Sequence, residues 1–373
     1  MEEGKLNFNH NYFIMKTIKL IMPIVFCASV FSALAQSNNS NVVQNGNDNS
    51  STVEQQGQSN VAAVSVNGDN NISTAFQEGS NNGTYQSQQG DANSTDAYQS
   101  GTGNYSNQYS YGSNNTASIV SEGSNNYAYQ DIYGNINEAE IIQMGENNNA
   151  SQYLHSGVES NYAIINQIGS NNSAYQHQHD VDGSFASAYQ DGAGNYIAQD
   201  QYYGVANGAS ASQEGQNLRS YQVQQGSWNE ATLIQIGTGS FSSQSQIGNG
   251  NISTAFQDGS NHLTEQNILG DNNRTSLDQY GGQNVSRQGQ GRSWDGSSWD
   301  YSLSATYDNY AYTNQNGTGN ESYQGQQGHG GHHADTYQYG NNNSAVSLQY
   351  GMGHSSYINQ NGTGNSAIVI QNN

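Results

Sequence analysis

The sequence predicts an all-β protein, a two-sheet β-solenoid built from stacked 22-residue strand-turn-strand rungs. Three observations support this. Glycine recurs every eleven residues from Gly46 to Gly145 and again from Gly204 to Gly281. The residues between successive glycines alternate with the period of a strand. Neighbouring 11-residue units also differ from each other in a regular way. A strict short repeat over most of a chain indicates a one-dimensional stack of small units rather than a globule around one core.

The strand assignment rests on the residues between the turns. In the unit from Asn137 to Gln143, Asn, Ala, Ile and Gln fall on one face, and Glu, Glu and Ile fall on the other. An 11-residue period is also typical of a right-handed coiled coil. Glycine and asparagine clusters in every unit disfavour that helix, and Leu and Lys are scarce. We therefore expect strands.

The turn between strands must keep the inward faces of successive strands in phase. Seven strand residues and a four-residue turn make an odd total of eleven, so inward and outward faces stay in phase only if the turn resets the register. Each unit must therefore contain the same turn.

Two consecutive units form one rung. The unit Asn71–Gln77 has a small residue at its third inward position, whereas the unit Asn82–Gln88 has glutamine there. This alternation predicts two strands that face each other across a thin interior, about 10 Å apart. Rungs stacked in register place Asn over Asn and Gln over Gln, which predicts hydrogen-bonded amide ladders. The residues that we expect in these ladders and turns are Gln77, Gly79, Asn82, Gln99, Gly101, Asn104, Gln143, Gly145, Asn148, Gln235, Gly237, Gln257 and Gly259.

The units share the pattern Ser-x5-Gln-x-Gly-x-x-Asn-x-Ala-x3-Gln. This pattern resembles the repeat of curlins, the subunits of bacterial curli fibres, over nearly all of the chain after its N-terminal segment. The resemblance implies a secreted subunit that polymerises with itself into extracellular amyloid for biofilm matrix and adhesion. It also implies other curlin-type subunits or a nucleator, and outer-membrane secretion machinery, as partners. Two of the units that carry the resemblance are Thr95 to Gln99 with Gly101, Asn104, Ser106 and Gln108, and Ala139 to Gln143 with Gly145, Asn148, Ala150 and Gln152.

The chain departs from the usual curlin pattern in two respects. It has more repeats than the handful that is common in the family, and the segment Asn38 to Gln44 already fits a strand, so no leader is expected before the first repeat. The last strand, Asn365 to Gln371, is followed by only two residues. Both terminal strands are uncharged and free of proline, which is typical of edges that pair with other chains. We predict that they are the polymerising ends.

The first residues predict a secretory signal peptide. Lys16 and Lys19 flank the start of an apolar run from Ile18 to Val30, and an Ala-Leu-Ala cleavage site ends at Ala35. Met15 is the expected initiator, and the run is too short for a transmembrane anchor. The predicted organisation is a signal peptide over 1–35, curlin-like repeats over 36–284, a degenerate rung with an insertion over 285–308, and repeats over 309–373.

Removal of this segment changes the composition. The only Cys, the only Pro and all three Lys lie within it, and the remaining chain has four Arg against 27 acidic residues, a net charge of −23. Lys and Pro are the residues that protect strand edges from pairing. The charge excludes binding to nucleic acid through phosphate neutralisation, and no disulfide is available. Low hydrophobicity leaves open a disordered monomer before assembly.

The period slips in two places. From Gly281 to Gly317 there are 36 residues, three units plus three, with two of the four Arg and two of the three Trp between them. We interpret residues 285–308 as a degenerate rung with a bulged loop. This loop is either a tolerated insertion or a patch that binds a ligand or partner. The segment 181–183 predicts a longer turn.

No motif predicts catalysis or a cofactor. The segment His329–His333 contains three histidines, but its glycines indicate a turn rather than a metal site. Turn acids such as Glu78 and Glu122 lack the Gly-Gly-x-Gly-x-Asp pattern of calcium-binding repeats. The four Arg are scattered, unlike the clustered charges of β-helical polysaccharide-cleaving enzymes. The alternative function is a monomeric cell-surface solenoid that binds sugar or ice through an outward Tyr/Thr face.

Overall fold

The structure is a computed structural model that describes residues 37–155, 159–291, 293–294, 299–300 and 306–372. The predicted signal peptide and its cleavage site lie outside these residues. The described part of the chain consists of strands and turns, without a helix that could cross a membrane. Nearly all of its strands belong to two parallel sheets.

The strands are numbered in chain order. The main path of the first sheet runs through β1 (Asn39–Asn45), β3 (Val61–Asn67), β5 (Gly83–Gln89), β7 (Tyr105–Ser113), β9 (Tyr127–Asn135), β11 (Asn149–His155), β13 (Ser173–Asp182), β15 (Tyr196–Val205), β17 (Arg219–Gln225), β19 (Phe241–Ile247), β21 (Leu263–Asp271), β23 (Val285–Gln290), β28 (Glu321–Gly330), β30 (Ser344–Met352) and β32 (Ser366–Asn372). The second sheet runs through β2 (Ser50–Gln58), β4 (Ile72–Ser80), β6 (Ser94–Thr102), β8 (Thr116–Ser124), β10 (Glu138–Glu146), β12 (Tyr162–Ser170), β14 (Phe185–Ala193), β16 (Gly208–Gln216), β18 (Glu230–Thr238), β20 (Ile252–Ser260), β22 (Arg274–Gly282), β27 (Tyr310–Thr318), β29 (His333–Asn341) and β31 (Ser355–Thr363). Three two-residue strands complete the set: β24 (Ser293–Trp294), β25 (Trp299–Asp300) and β26 (Thr306–Tyr307).

Consecutive strands lie in opposite sheets, and each strand pairs with the strand one rung away. Most pairs are parallel, in register and 22 residues apart, as with Ser51 beside Ser73 and Ser40 beside Ala62. A two-strand rung that repeats in this way is a β-solenoid. The predicted fold class is confirmed, with about fourteen rungs of parallel strands.

The interior is a thin layer between the sheets. Strand β10 alternates buried and less buried residues, and Ala139, Ile141 and Gln143 are fully buried. Alanine and aliphatic side chains from the second sheet pack against the glutamine-bearing strands of the first. The main apolar cluster extends from Ile119 to Leu277. Burial alternates along most strands, as in β10 and β12, which is expected for a strand with one face inside.

The register is kept even where the interval between paired strands changes. It is 24 residues between β10 and β12, and 23 between β13 and β15. Positive φ angles at Asp180 and Tyr203 mark extra residues at the ends of β13 and β15. Extra residues at the corners therefore leave the inward faces in phase.

The longest interval is 36 residues and is a single rung step. Gly281 of β22 pairs directly with Gly317 of β27. Residues 285–308, predicted as a degenerate rung, begin with β23, which pairs in register with β21 and β28. The extra residues follow Gln290, and β24 and β25 form a short antiparallel pair within them. The extra residues at this corner therefore lengthen the chain without adding a rung to the stack.

Candidate functional site: amide ladders and the end faces

Buried glutamines form the first type of ladder. The Gln77 side chain donates its Nε2 hydrogens to the Oε1 of Gln99, at 2.8 Å, and to the backbone oxygen of Val61, at 3.0 Å. The same contact joins Gln235 to Gln257 at 2.7 Å, and Gln143 begins another run by donating to Gln167 at 3.0 Å. A buried amide costs little when its donors and acceptors are all paired. The glutamines thus occupy a core that aliphatic residues would otherwise fill.

Two ladders run almost the length of the stack. In the second sheet the column continues without interruption from Gln143 to Gln360. In the first sheet a column extends from Gln86 to Gln324. Ser121 interrupts the second-sheet column after Gln99, and its hydroxyl donates to Gln143.

Every glutamine ladder points the same way along the stack. Each side chain donates its amide to the glutamine of the following rung and accepts from the preceding one. Three columns accordingly begin with an acceptor that has no donor, the Oε1 atoms of Gln86, Gln178 and Gln290. The preceding rung has an aliphatic residue at those three positions, Val64, Leu154 and Ile268. The stack therefore has a direction, and its two ends differ in their hydrogen-bonding groups.

Asparagines form a second ladder at the turns. The Asn82 side chain donates to the backbone oxygens of Glu78, at 3.0 Å, and Gly101, at 3.1 Å. Its Oδ1 accepts the backbone N–H of Asn104, at 3.0 Å. One carboxamide therefore ties its own turn to the next rung through three hydrogen bonds. Asn148 occupies the same position further along the stack, where it donates to the oxygen of Gly169.

The turn glycines stack directly on one another. Gly79 has a φ of +107°, which side-chain-bearing residues rarely adopt, and an added Cβ would overlap the carbonyl oxygen of Gly101. Gly145, Gly237 and Gly259 meet the glycine of the following rung in the same way. The turn also contains a left-handed residue, Asn81, with a φ of 57°. These conformations supply the register reset that the odd repeat length demands.

A comparison with known protein families matches one segment of the chain. Residues 333–362, which span β29 to β31, match the family model of the curlin-associated repeat. The chain carries a curlin repeat. A comparison with curated proteins gave no significant match. The curlin-like assignment made from the residues is supported, since the matched segment has the same inward pattern and glycine stacking as the other rungs.

Three histidines belong to the asparagine ladder of this curlin-repeat stack. His262, His332 and His354 each occupy the asparagine position of a turn, and each places Nε2 beside a backbone oxygen of the same turn. The backbone N–H of His354 donates to Nδ1 of His332, at 3.2 Å, and the two rings stack at 5.4 Å. Sequence reasoning missed this role, although two of these histidines lie three residues after a stacked glycine.

Four other histidines of the described residues, His155, His177, His179 and His333, lie on outer faces. His333 contacts Asp335 across 3.1 Å and is half exposed. His155 contacts Asp131, and His177 contacts Asp200 at 3.8 Å. Burial, reinforced by the imidazoles of His155 and His179, lowers the pKa of His177 to about 4. No group of residues suited to hold a metal ion occurs in the described part of the chain.

Tyrosines line the outer face of the first sheet. A zigzag of rings runs across five rungs, with centroids 5.1–5.8 Å apart: Tyr85, Tyr109, Tyr129, Tyr153 and Tyr175. Burial and nearby carboxylates raise the pKa values of Tyr109, Tyr129, Tyr153 and Tyr175, that of Tyr175 to about 12. Their hydroxyls remain protonated at neutral pH and present a row of donors.

The two ends of the stack expose unpaired edges. Within the described residues, no strand covers the outer edge of β1 or β2, nor that of β31 or β32. All residues of β1 are exposed, and Ile368 and Ile370 of β32 are 67% and 64% exposed. Asn38, Gln44, Asn365 and Gln371, predicted at the polymerising ends, lie on or directly beside these edge strands.

The end faces differ in their hydrogen-bonding groups. The Oε1 atoms of Gln371 and Gln360 accept from the preceding rung, while their amides have a backbone acceptor but no following glutamine. At the other end, Gln55 donates to Gln77 and to a backbone oxygen, and no preceding glutamine donates to it. One end face thus offers ladder donors and the other offers ladder acceptors.

Proposed function

We propose that this protein is a secreted structural subunit that assembles with itself, end to end, into curli-like extracellular fibres. The observation that carries the proposal is the pair of complementary end faces, donors at β31 and β32 and acceptors at β1 and β2. An incoming copy completes the backbone ladders and the amide ladders at once. Part of the exposed apolar surface of Ile368 and Ile370 is covered in the same step.

The sequence composition supports the same function. The repeats after residue 36 contain no Lys and no Pro, the residues with which soluble proteins block strand edges. Natural solenoids that remain monomeric close their last repeat with polar or irregular structure, whereas β32 is a regular strand with an apolar outer face. The proposed setting is the surface of a bacterium, with roles in biofilm matrix and adhesion. Curlin-type subunits or a nucleator and outer-membrane secretion machinery are the proposed partners.

Assembly of the purified chain is the direct test. We expect fibres at tens of micromolar without any cofactor, with diffraction spacings of about 4.7 and 10 Å from the strand and sheet separations. A protein that stays monomeric in sedimentation experiments over days would contradict the proposal.

The end faces can be tested separately from the fold. Lysine at the inward positions Ala367 and Val369 places unpaired charges where the next copy must stack. Lysine at the outward positions Ile368 and Ile370 of the same strand adds the same charge and serves as the control. We expect the inward pair to abolish elongation in seeded growth assays and the outward pair to slow it less. Equal slowing would show that the inward face of β32 has no special part in growth.

A second candidate function rests on the tyrosine zigzag. Neighbouring tilted rings with protonated hydroxyls, such as Tyr129 and Tyr153, are suited to contacts with sugar rings. In this alternative the protein is a monomeric surface solenoid that binds sugar or ice. A concentration-independent sedimentation coefficient together with retention on a polysaccharide matrix would favour it.

A further inference from the structure

The described part of the stack contains an odd number of strands, and this affects how two copies meet. The main path of the first sheet has fifteen strands and the second sheet has fourteen, a total of 29. Successive strands alternate between the sheets, so the coil advances by half a rung with each strand. The described coil therefore begins and ends in the same sheet, with β1 and with β32.

We propose that copies join as one continuous coil in which the sheets exchange: the first sheet of one copy continues as the second sheet of the next, and the second sheet continues as the first. Strand β1 of one copy pairs with β31 of its neighbour, and β2 pairs with β32. Each copy is then turned by half a revolution about the fibre axis relative to the copy before it. This inference rests on the proposed end-to-end assembly and specifies its geometry.

Exchange of the sheets avoids a gap. If β1 instead stacked on β32 of its own sheet, one strand position above β31 would stay empty, since β2 would lie two strand spacings away, about 9–10 Å. The edge of β31 and the edge of β2 would then both keep their unpaired backbone groups, which is costly where water is excluded. With exchange, both edge strands on each face gain a full parallel neighbour.

The amide donors favour the same arrangement. In the interior, each ladder glutamine donates to a backbone oxygen and also to the glutamine of the following rung, as Gln338 does towards Gln360. Gln360 and Gln371 have the backbone acceptor alone. With exchanged sheets, Gln360 meets Gln44 and Gln371 meets Gln55 of the next copy. Stacking without exchange supplies an acceptor for one of the two donors only.

The asparagine ladder also continues across this junction. The Oδ1 atom of Asn343 accepts the backbone N–H of Asn365. The register that pairs β32 with β2 places Asn49 of the next copy in the corresponding position above Asn365. Its backbone N–H then donates to the Oδ1 of Asn365, and the turn ladder passes from one copy to the next.

The edge strands of the two sheets have the same kind of residue at the middle inward position, unlike the interior strands. In the interior the first sheet has glutamine at the middle inward position, in the column from Gln86 to Gln324, and the second sheet has an aliphatic or small residue there. At the ends the middle residue is Val42 in β1 and Val369 in β32, although both strands belong to the first sheet. All four edge strands then share the order small, aliphatic, glutamine. The inward residues are Ser40, Val42 and Gln44 in β1, Ser51, Val53 and Gln55 in β2, Ser356, Ile358 and Gln360 in β31, and Ala367, Val369 and Gln371 in β32.

Disulfide cross-linking distinguishes the two junctions. With exchange, the outward position 41 of β1 lies beside Tyr357, and position 52 of β2 lies beside Ile368. Without exchange, position 41 lies beside Ile368. Neighbouring parallel strands are about 4.8 Å apart, within the Cα separation of about 4.4–6.8 Å that a disulfide spans. The paired positions sit at opposite ends of one chain, some 65 Å apart at the strand spacing, so any bond links two copies.

Three double variants in a Cys27→Ser background are compared: Asn41→Cys with Tyr357→Cys, Thr52→Cys with Ile368→Cys, and Asn41→Cys with Ile368→Cys as the matched control. Fibres are grown under reducing conditions, oxidised, dissolved in denaturant and run on a non-reducing gel. We expect a ladder of covalent multimers from the first two variants and monomer from the third.

Each outcome of this test is decisive. Multimers from the control variant, with monomer from the other two, overturn the exchange and leave end-to-end assembly intact. Fibres in which none of the three pairs cross-links overturn a strand-to-strand junction of either kind. Failure of the Cys27→Ser parent to form fibres at all contradicts the proposed function itself. The second cross-linking pair guards against a variant that does not assemble.

Discussion

Alanine at Gly237 tests the stacking of the turns most directly. The φ of Gly237 is +116°, and the added Cβ would overlap the carbonyl oxygen of Gly259 in the next rung. The backbone strain alone costs about 1–3 kcal/mol. The overlap forces the rungs apart beside two turn hydrogen bonds, from Gly239 to Gln216 at 3.0 Å and from Asn261 to Thr238 at 2.8 Å. At about 1 kcal/mol for each bond, we expect a total loss of about 3–5 kcal/mol.

Two control glycines separate strain from overlap. Gly183 has a φ of +58° and nothing within 4 Å of a Cβ, so Gly183→Ala bears only the cost of the left-handed backbone, about 1–2 kcal/mol. Gly208 also has open space around a Cβ and lacks a positive φ, so Gly208→Ala is expected to stabilise by up to about 1 kcal/mol.

Guanidinium unfolding of the three variants, followed by circular dichroism, measures these differences. The expected order of stability is Gly208→Ala above the parent, then Gly183→Ala, then Gly237→Ala. Equal losses for Gly183→Ala and Gly237→Ala would refute the close rung-to-rung contact, because backbone strain alone would then explain both.

Three further predictions concern the ladders and the outer faces. Gln235→Ala removes one hydrogen-bond partner from each of two buried amides, Gln213 and Gln257, and should cost about 2–5 kcal/mol in the same unfolding assay, with Gln235→Leu recovering only the packing part. The pKa of His177 is about 4 in the fold and 6.5 in the unfolded chain, so the unfolded chain binds more protons between these values. Stability should therefore fall on acidification from pH 6.5 to 4, by up to about 3 kcal/mol, and this slope should be smaller in His177→Gln. Glu214 lies one rung from Asp191 in register, so Glu214→Gln should shorten the lag before assembly at low salt, whereas Glu146→Gln, between two serines, should change it little. Equal lag times for the two glutamine variants would exclude repulsion between neighbouring rungs as the cause.

Most of the fold could be predicted because each unit repeats the same short sequence pattern. The glycine interval, the alternation within Asn137–Gln143 and the contrast between neighbouring units define strands, turns and the two-sheet rung without any long-range information. Pairing between rungs then follows from placing like residues together, since Gln77 meets Gln99 and Gly79 meets Gly101. A stack of repeats has few long-range choices to make.

Other features required the three-dimensional register. The direction of the ladders depends on which amide nitrogen faces the next rung, and a glutamine in a sequence has no direction. The length of the excursion after Gln290 was ambiguous for a similar reason, because a 36-residue interval is compatible with one rung or with three strand units. The tyrosine zigzag arises from diagonal neighbours such as Tyr129 and Tyr153, which are not paired in the ladder. Sequence spacing alone does not identify such pairs.

The corner after Gln290 contains extra residues that lengthen the chain but leave the spacing of the rungs unchanged. Gly281 rests on Gly317 although the two are 36 positions apart, so the coil accepts fourteen residues more than its regular step without any change in the stacked core. A peptide of other sequence grafted at this corner should leave the rungs intact, in the same way. In an assembled filament each copy would carry one graft, repeating about every 70 Å along the axis at the strand spacing. In a filament assembled as proposed, this corner would present grafted epitopes or enzymes at fixed intervals.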